Sequence, residues 1–231
     1  MTPAGSNVGL TRATFSVFSK ELRAEFRSFE LLTSTIVFVL IVVFVFSFAF
    51  SPTHEDTRRF GAGFIWIALL FAGSLMLQPS FSRERPNDTL GAMVLAPIDP
   101  FAIIAGKMLA NFFFLVLVEA VLLPAFSVLY DVSLLPVIGP LAGVMFLGTF
   151  GIAVVGTVFA AISAQARMRE LLLPLLLLPA LVPVLIASAG ATAGLLADPP
   201  DLPRTWIFVL IGFDVVFLTA AWLFGGYLLE E

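Results

Sequence analysis

The stretch LLTSTIVFVLIVVFVFSFAF, residues 31–50, runs for about 20 positions without a charged side chain. An apolar helix of that length can cross the hydrocarbon core of a bilayer. A helix also satisfies its own backbone hydrogen bonds, which hydrocarbon surroundings require. The stretch therefore predicts a membrane-spanning helix and places the chain among the integral membrane proteins.

Five further apolar stretches follow, separated by short polar connections. Together the six predicted spans are residues 31–50, 60–82, 101–130, 134–164, 171–197 and 205–229. They lack the alternating pattern of a barrel strand. With 60% hydrophobic and 12% charged residues in 231, the chain leaves no room for a separate soluble domain. We predict an all-α polytopic membrane protein, with residues 1–231 forming a single membrane domain.

The cationic residues are distributed unevenly between the two sides of these spans. One side carries Arg12, Lys20, Arg23, Arg27, Arg83, Arg85, Lys107, Arg167 and Arg169. The other side carries Arg58, Arg59 and Arg204. Because cytoplasmic connections are enriched in Lys and Arg, we expect both termini in the cytoplasm. A bacterial inner membrane is the simplest location for such a chain.

Several classes of chemistry find no support in the sequence. Without cysteine, the chain cannot form disulfides, Cys-ligated iron–sulfur clusters or CxxC haem attachments. Gly106 and Lys107 lack the remainder of a Walker A motif, so ATP has to be handled by a separate subunit. His54, the single histidine, is interpreted as a solvated residue of the outer loop rather than a haem ligand. We predict no catalytic, cofactor or metal site and no nucleic-acid partner.

Residues 12–30 have the pattern of an amphipathic helix that precedes the first span. The apolar side consists of Phe15, Phe18, Leu22, Phe26 and Phe29. The charged side consists of Lys20, Glu21, Arg23, Glu25 and Arg27. Such a helix is expected to lie in the inner membrane interface, with its phenylalanines among lipid acyl chains. It is either an elbow that braces a transporter or a simple anchor in membrane lipid.

The connection between the second and third spans contains its own short helix, predicted at residues 86–97. Asn87 or Asp88 can cap its start, and Pro97 ends it. Its apolar side carries Leu90, Met93 and Val94. A helix this short is not stable alone and needs a groove, which is supplied either by a partner protein or by the bilayer surface.

Four segments carry a family resemblance. They are KELRAEFRS (residues 20–28), GFIWIALLFAGSL (63–75), FSRERPNDTLGAMVLAPID (81–99), with Lys107 beyond it, and LLLPLLLLPALVPVLIASA (171–189). In order and spacing the chain resembles the haem-exporter permease B family of cytochrome c maturation. The resemblance implies an ABC-2-type permease of six transmembrane helices.

The resemblance also implies partners and a mechanism. A cytoplasmic A-type ABC ATPase would bind and hydrolyse ATP, a C-type membrane protein would handle haem, and the permease would work as a homodimer. Haem is the implied substrate, either exported or released from a chaperone. The helix at residues 86–97 would couple the ATPase to the permease through Thr89, Leu90, Met93 and Val94.

Two carboxylates fall near the middle of predicted spans, Glu119 in the third and Asp214 in the sixth. An ionised carboxylate at that depth costs roughly 2.5 to 3.5 kcal/mol, so each is expected to face the bundle interior. One hypothesis makes them a substrate path, a proton relay or a latch with Lys107 or Arg204. The other makes them neutral acids that hydrogen-bond to Ser or Thr on a neighbouring helix.

The fifth span combines prolines with closely spaced glycines. Pro174, Pro179 and Pro183 are expected to bend or break the helix, which makes it a candidate gate. Gly190 and Gly194 have the GxxxG spacing that permits close helix contact, and Gly139 with Gly143 repeats it. These pairs indicate either an outer gate or dimer seam, or ordinary packing within one bundle.

Three other functions are compatible with the sequence. An ion-coupled secondary transporter would use Glu119 and Asp214 as proton sites, although no internal repeat supports it. An ABC-2 exporter would carry a different substrate. A scaffold without transport activity would only assemble maturation factors.

Overall fold

A computed structural model describes residues 9–49, 54–79, 99–164 and 169–225. Within these ranges the chain forms seven α-helices, one 3₁₀ turn at Leu135–Val137 and no strand. The helices are α1 (Leu10–Ser28), α2 (Glu30–Ala49), α3 (His54–Leu77), α4 (Pro100–Leu129), α5 (Ile138–Ala164), α6 (Arg169–Leu195) and α7 (Arg204–Phe224).

Helices α2 to α7 are long and apolar enough to cross a membrane. The segments that are apolar enough to do so are Glu30–Ala49, Phe60–Leu77, Pro100–Leu129, Leu135–Ser163, Leu173–Leu195 and Arg204–Phe224. The prediction of an all-α polytopic membrane protein is confirmed. One local expectation is wrong, since His54 is the first residue of α3 and not part of a loop.

Helix α5 lies at the centre and packs against α3, α4, α6 and α7. Close packing is possible because several of its contact positions are glycines. A Cβ at Gly148 would overlap the Trp66 ring of α3, and one at Gly156 would overlap Leu77 of the same helix. By contrast, α2 and α7 leave most of their apolar side chains at least partly exposed, as helices that face lipid do.

Helix α4 is much longer than the bilayer requires. Its 30 residues span about 45 Å, whereas the hydrocarbon core is about 30 Å thick. Helix α1 covers its first half, where Phe26 meets Phe114 edge to face at a centroid distance of 6.2 Å. Helix α2 covers its second half, where the Ser47 hydroxyl donates to the Leu129 carbonyl at 3.4 Å. Thus α1 and α2 run one after the other along α4.

Helix α1, the start of α4 and the end of α7 lie at the same end of the bundle. A Cβ added to Gly225, which follows α7, would come within 3.4 Å of the Ile104 side chain. The neighbouring Gly106 contacts Val17 of α1. The end of α3 lies there too, since Met76 and Pro79 lie beside Glu21 and Glu25 of α1.

Helix α6 is continuous from Arg169 to Leu195 despite its three internal prolines. Pro179 and Pro183 lie on its exposed side, and Pro174 is half-buried. The interruption expected from the sequence is therefore not observed, because the helix continues on its buried side through Leu177, Leu181 and Val184. The role of this helix as a gate remains a prediction.

Candidate functional site at the polar contacts inside the bundle

Helix α1 fits directly against α4 at Gly106. A Cβ at that position would lie 2.6 Å from the Cβ of Val17 and 2.8 Å from the carbonyl oxygen of Thr14. The buried side of α1 accordingly carries Ala13, Val17 and Glu25. The helix is thus packed onto the bundle as well as facing outward, which supports the elbow hypothesis over a simple anchor.

Lys107 of α4 is completely buried beneath α1. Its Nζ lies 2.8 Å from Oε1 of Glu21, and Lys20 approaches the same oxygen at 3.5 Å. A buried ammonium is costly unless a carboxylate compensates it, and α1 provides that carboxylate. The latch hypothesis assigned Lys107 to Glu119 or Asp214, but the ion pair seen in the structure joins it to Glu21.

Glu25 connects α1 to the helix that follows. Its side chain is 2% exposed, and its Oε1 accepts the backbone N–H of Leu32 at 2.8 Å. The first N–H groups of a helix have no partner within the helix, and a carboxylate there also favours the helix dipole. Phe29, with φ of 53°, forms the left-handed residue between α1 and α2. The expectation that Glu25 lies on the charged outer side is wrong, because this cap draws it inward.

The aromatic side of α1 lies at the margin of the bundle, partly against α4 and partly exposed. Phe15 is 65% exposed and Phe26 is 39% exposed. Phe18 is half-buried and meets Phe113 of α4 edge to face at 6.2 Å. This arrangement fits the expectation that these phenylalanines contact lipid.

Two hydrogen bonds between side chains join α4 to α5, and we call them rungs. The Asn111 amide donates to the Thr157 hydroxyl at 2.9 Å, and that hydroxyl donates to the Ala153 carbonyl at 2.7 Å. Farther along, the Thr149 hydroxyl donates to the Glu119 carboxylate. Glu119 therefore has the hydrogen-bonded arrangement of the second hypothesis, with a threonine on a neighbouring helix.

A third polar contact links α3 to α6. The indole N–H of Trp66 donates to the Thr192 hydroxyl at 3.0 Å. The hydroxyl of Ser188, one turn away, is buried beside Gly148 of α5. The indole thus finds the hydrogen-bond partner that a buried tryptophan requires.

Asp214 of α7 is 6% exposed and lies against Gly151. A Cβ at Gly151 would be 2.8 Å from Oδ1 of Asp214, so the glycine makes room for the carboxyl group. Across the described residues, neither carboxyl oxygen of Asp214 has a hydrogen-bond partner. Thr149 and Gly151 are two positions apart on α5, about 200° around the helix. Glu119 and Asp214 therefore approach the same turn of α5 from opposite sides and do not form one site.

The glycine pairs differ in their surroundings. Gly190 of α6 faces Trp206, whose Cε2 would be 2.6 Å from an added Cβ, and Gly194 faces the backbone of Asp201. This pair is used for packing within the chain. Gly139 and Gly143 have no atom within 4 Å of an added Cβ in the part of the chain that the structure describes.

The coupling residues Thr89, Leu90, Met93 and Val94, and the whole of 86–97, lie outside the described residues. Asp99 and Pro100, which follow them, form the N-terminal cap of α4. Oδ1 of Asp99 accepts the N–H of Phe101 at 2.9 Å, and Pro100 occupies the first helical position.

Sequence reasoning missed the two rungs between α4 and α5, although a signal exists. Asn111 and Glu119 are eight residues apart on α4, and Thr149 and Thr157 are eight apart on α5. Matching spacing on neighbouring antiparallel helices places both pairs in register. No group of three His, Cys, Asp or Glu suited to a metal occurs within 9–49, 54–79, 99–164 and 169–225.

Comparison with known proteins adds a family match. The family model described as CcmB protein matches residues 12–224. A protein named heme exporter protein B from Pseudomonas aeruginosa is 30% identical over 187 residues, covering 80% of this chain and 82% of the relative. The protein of that name from Rhodobacter capsulatus is 32% identical over 174 residues, covering 75% and 79%.

Proposed function

Because this chain belongs to the CcmB protein family, we propose that it is the permease subunit of an ABC transporter that serves cytochrome c biogenesis. Its relatives are named heme exporters, and haem is the substrate class that we assign to this chain. The family match across residues 12–224 is the observation that carries the proposal. The six apolar helices supply the path through the membrane.

The energy for transport comes from a separate cytoplasmic ATPase. The permease has no Walker A motif of its own, and it acts without an active site. ATP binding can bias the permease only if the docked surface contacts the ATPase differently in two conformations. We assign that surface to residues 86–97, with Leu90 and Met93 as its apolar contacts.

Packing at the end of the bundle that holds α1 and the start of α4 supports a route by which a movement of the ATPase reaches the membrane helices. Residues 86–97 lead into Asp99 and α4, and α4 is held to α1 by Gly106 and by the Lys107–Glu21 ion pair. A push on the connection therefore reaches α4 and α1 together. Helix α6, with Pro174, Pro179 and Pro183, is the element that we assign to gating.

We assign the other subunits, the membrane and the orientation from the same family match. The working unit contains two copies of the permease, two ATPases and a C-type membrane protein that handles haem. It resides in the bacterial inner membrane, with both termini in the cytoplasm. The excess of cations on α1 and on the connections at that end supports this orientation.

The docking assignment is tested by Leu90→Asp combined with Met93→Asp. A tagged permease is purified from membranes, and mass spectrometry identifies and quantifies the ATPase that accompanies it. The double variant should lose at least tenfold of the ATPase, because two charges replace the apolar contacts. The amount of permease inserted in the membrane should not change.

Leu10→Asp serves as the matched control, since it places a charge on an exposed apolar residue of α1, outside residues 86–97. It should retain the ATPase. Full ATPase recovery with Leu90→Asp and Met93→Asp would refute the docking assignment. Equal loss with Leu10→Asp would show that the effect is not specific to the connection.

A proton-coupled secondary transporter is the second candidate function, favoured by the buried carboxyl of Asp214 without a partner in the described ranges. Asp214→Asn preserves the shape of the side chain and removes its titration. The proton mechanism requires cytochrome c assembly to lose its dependence on external pH in this variant. An unchanged pH dependence with normal assembly would leave Asp214 a packing residue.

A further inference from the structure

The two long sides of α1 differ in how their charges are compensated. On the bundle side, Lys20 and Lys107 both approach the Glu21 carboxylate. On the outer side, Arg23 and Arg27 are exposed. Among the residues that the structure describes, neither arginine lies within ion-pair distance of a carboxylate. The outer side therefore carries two positive charges that no described side chain neutralises.

These arginines border an open apolar groove of about 570 Å³. Its apolar lining consists of Phe15, Phe18, Leu22 and Phe26. Arg23 and Arg27 are four positions apart, so they lie next to each other on one side of the helix. A groove of this kind suits a molecule with an anionic head and an apolar tail.

We propose that this groove binds one anionic phospholipid. Its phosphate would accept hydrogen bonds from Arg23 and Arg27, since guanidinium groups match phosphate geometry with paired donors. One acyl chain would lie along Phe15, Phe18 and Phe26. The lipid thereby supplies these arginines with the counter-charge that Glu21 supplies to Lys107.

The choice of lipid over another ligand follows from charge and position together. The helix leads directly into α2, a membrane span, so the groove lies at the level of the headgroups. A free phosphate would satisfy the arginines but would leave the exposed phenylalanines in water. A neutral lipid would cover the phenylalanines but would leave the positive charge of the arginines without a counter-ion.

The test uses the purified permease in detergent, incubated with equal amounts of phosphatidylglycerol and phosphatidylcholine of matched chain length. Native mass spectrometry counts the lipids retained by each protein molecule. The wild-type chain should retain phosphatidylglycerol preferentially. Arg23→Gln with Arg27→Gln should reduce that preference roughly tenfold to thirtyfold, since each cation near an anionic lipid surface contributes severalfold.

Arg204→Gln is the matched control, because it removes one exposed arginine at the start of α7, away from the groove. It should keep the preference within twofold. An unchanged preference in the Arg23→Gln, Arg27→Gln variant would overturn the proposal. So would equal competition by glycerol phosphate, because that result would identify a site for free phosphate and not for lipid.

A second variant tests the apolar part of the groove. Phe15→Ser changes the most exposed phenylalanine of the groove and should preserve the fold, which circular dichroism can verify. It should bind long-chain and short-chain phosphatidylglycerol alike, whereas the wild-type chain should favour the long-chain form. Continued preference for the long-chain form would overturn the placement of the acyl chain. These measurements need no ATPase, so their outcome is independent of the proposed coupling.

Discussion

At the scale of single residues, the glycines of α5 determine how closely its neighbours approach. Gly148 lies between the Trp66 ring and the Ser188 hydroxyl, and Gly151 admits the Asp214 carboxyl. The Trp66 indole can reach Thr192 across the bundle while Gly148 remains free of a side chain. The polar contact between α3 and α6 and the position of the α7 carboxyl therefore depend on missing methyl groups in α5.

Gly148→Ala tests this dependence. A Cβ there would overlap Trp66 and Ser188, both of them held in the core, so the variant should lose about 2 kcal/mol of stability. Thermal unfolding of the purified protein, followed by tryptophan fluorescence, measures the change. Gly143→Ala on the same helix has open space around it and should leave the midpoint unchanged or slightly raised. Equal destabilisation by both variants would contradict the packing argument.

At the scale of elements, the sequence predicts each span because apolar length decides whether a helix can cross a membrane, even where one or two charges interrupt it. It also predicts the outward side of α1, where Phe15 and Phe26 are exposed. The sequence does not predict which residues of α1 face the bundle. Glu25 resembles a surface residue on a helical wheel, and only the position of Leu32 in the next helix makes it a cap. Contacts of this kind depend on tertiary packing, which one-helix periodicity does not contain.

The surroundings of a buried polar side chain likewise cannot be predicted from the sequence of one helix. Asp214 could be predicted to face inward, but the approach of Gly151 follows from how α7 crosses α5. The prolines of α6 are predicted to bend or break the helix, and no break occurs between Arg169 and Leu195. An exposed proline removes one donor on the outer side, and the buried side keeps its packing.

Glu25→Ala tests the junction between α1 and α2. Removing the carboxylate leaves the Leu32 N–H without this acceptor, and the start of α2 should lose about 1 to 2 kcal/mol of local stability. Hydrogen exchange measured by mass spectrometry should become roughly tenfold faster or more in the peptide containing Leu32. Glu30→Ala, at an exposed position in the same turn, should change exchange much less. Similar protection in both variants would exclude the cap as the cause.

At the scale of the whole molecule, six spans alternate in direction around α5. One end of the bundle holds α1, the start of α4 and the end of α7. The other holds the contacts between Ser47 and Leu129 and between Gly194 and Asp201. The proposed mechanism requires the first of these ends to face the cytoplasm, where the proposed ATPase would bind ATP.

The absence of cysteine makes this orientation directly measurable. Thr11→Cys and Ala197→Cys place single thiols at exposed positions at opposite ends of the bundle. A membrane-impermeant maleimide should label Ala197→Cys in intact spheroplasts and Thr11→Cys only after permeabilisation. Thr89→Cys should behave like Thr11→Cys. The reverse labelling pattern would place residues 86–97 outside the cell and refute the coupling mechanism.

The ion pair between Glu21 and Lys107 joins a helix that the ribosome makes early to one that it makes much later. When α4 enters the translocon, Glu21 of α1 has already been synthesised and can pair with Lys107. Deleting α1 would remove the Glu21 carboxylate from the lysine of α4, and an ammonium within the membrane costs up to about 3 kcal/mol. We therefore expect the insertion of α4 to depend on α1 before any transport begins.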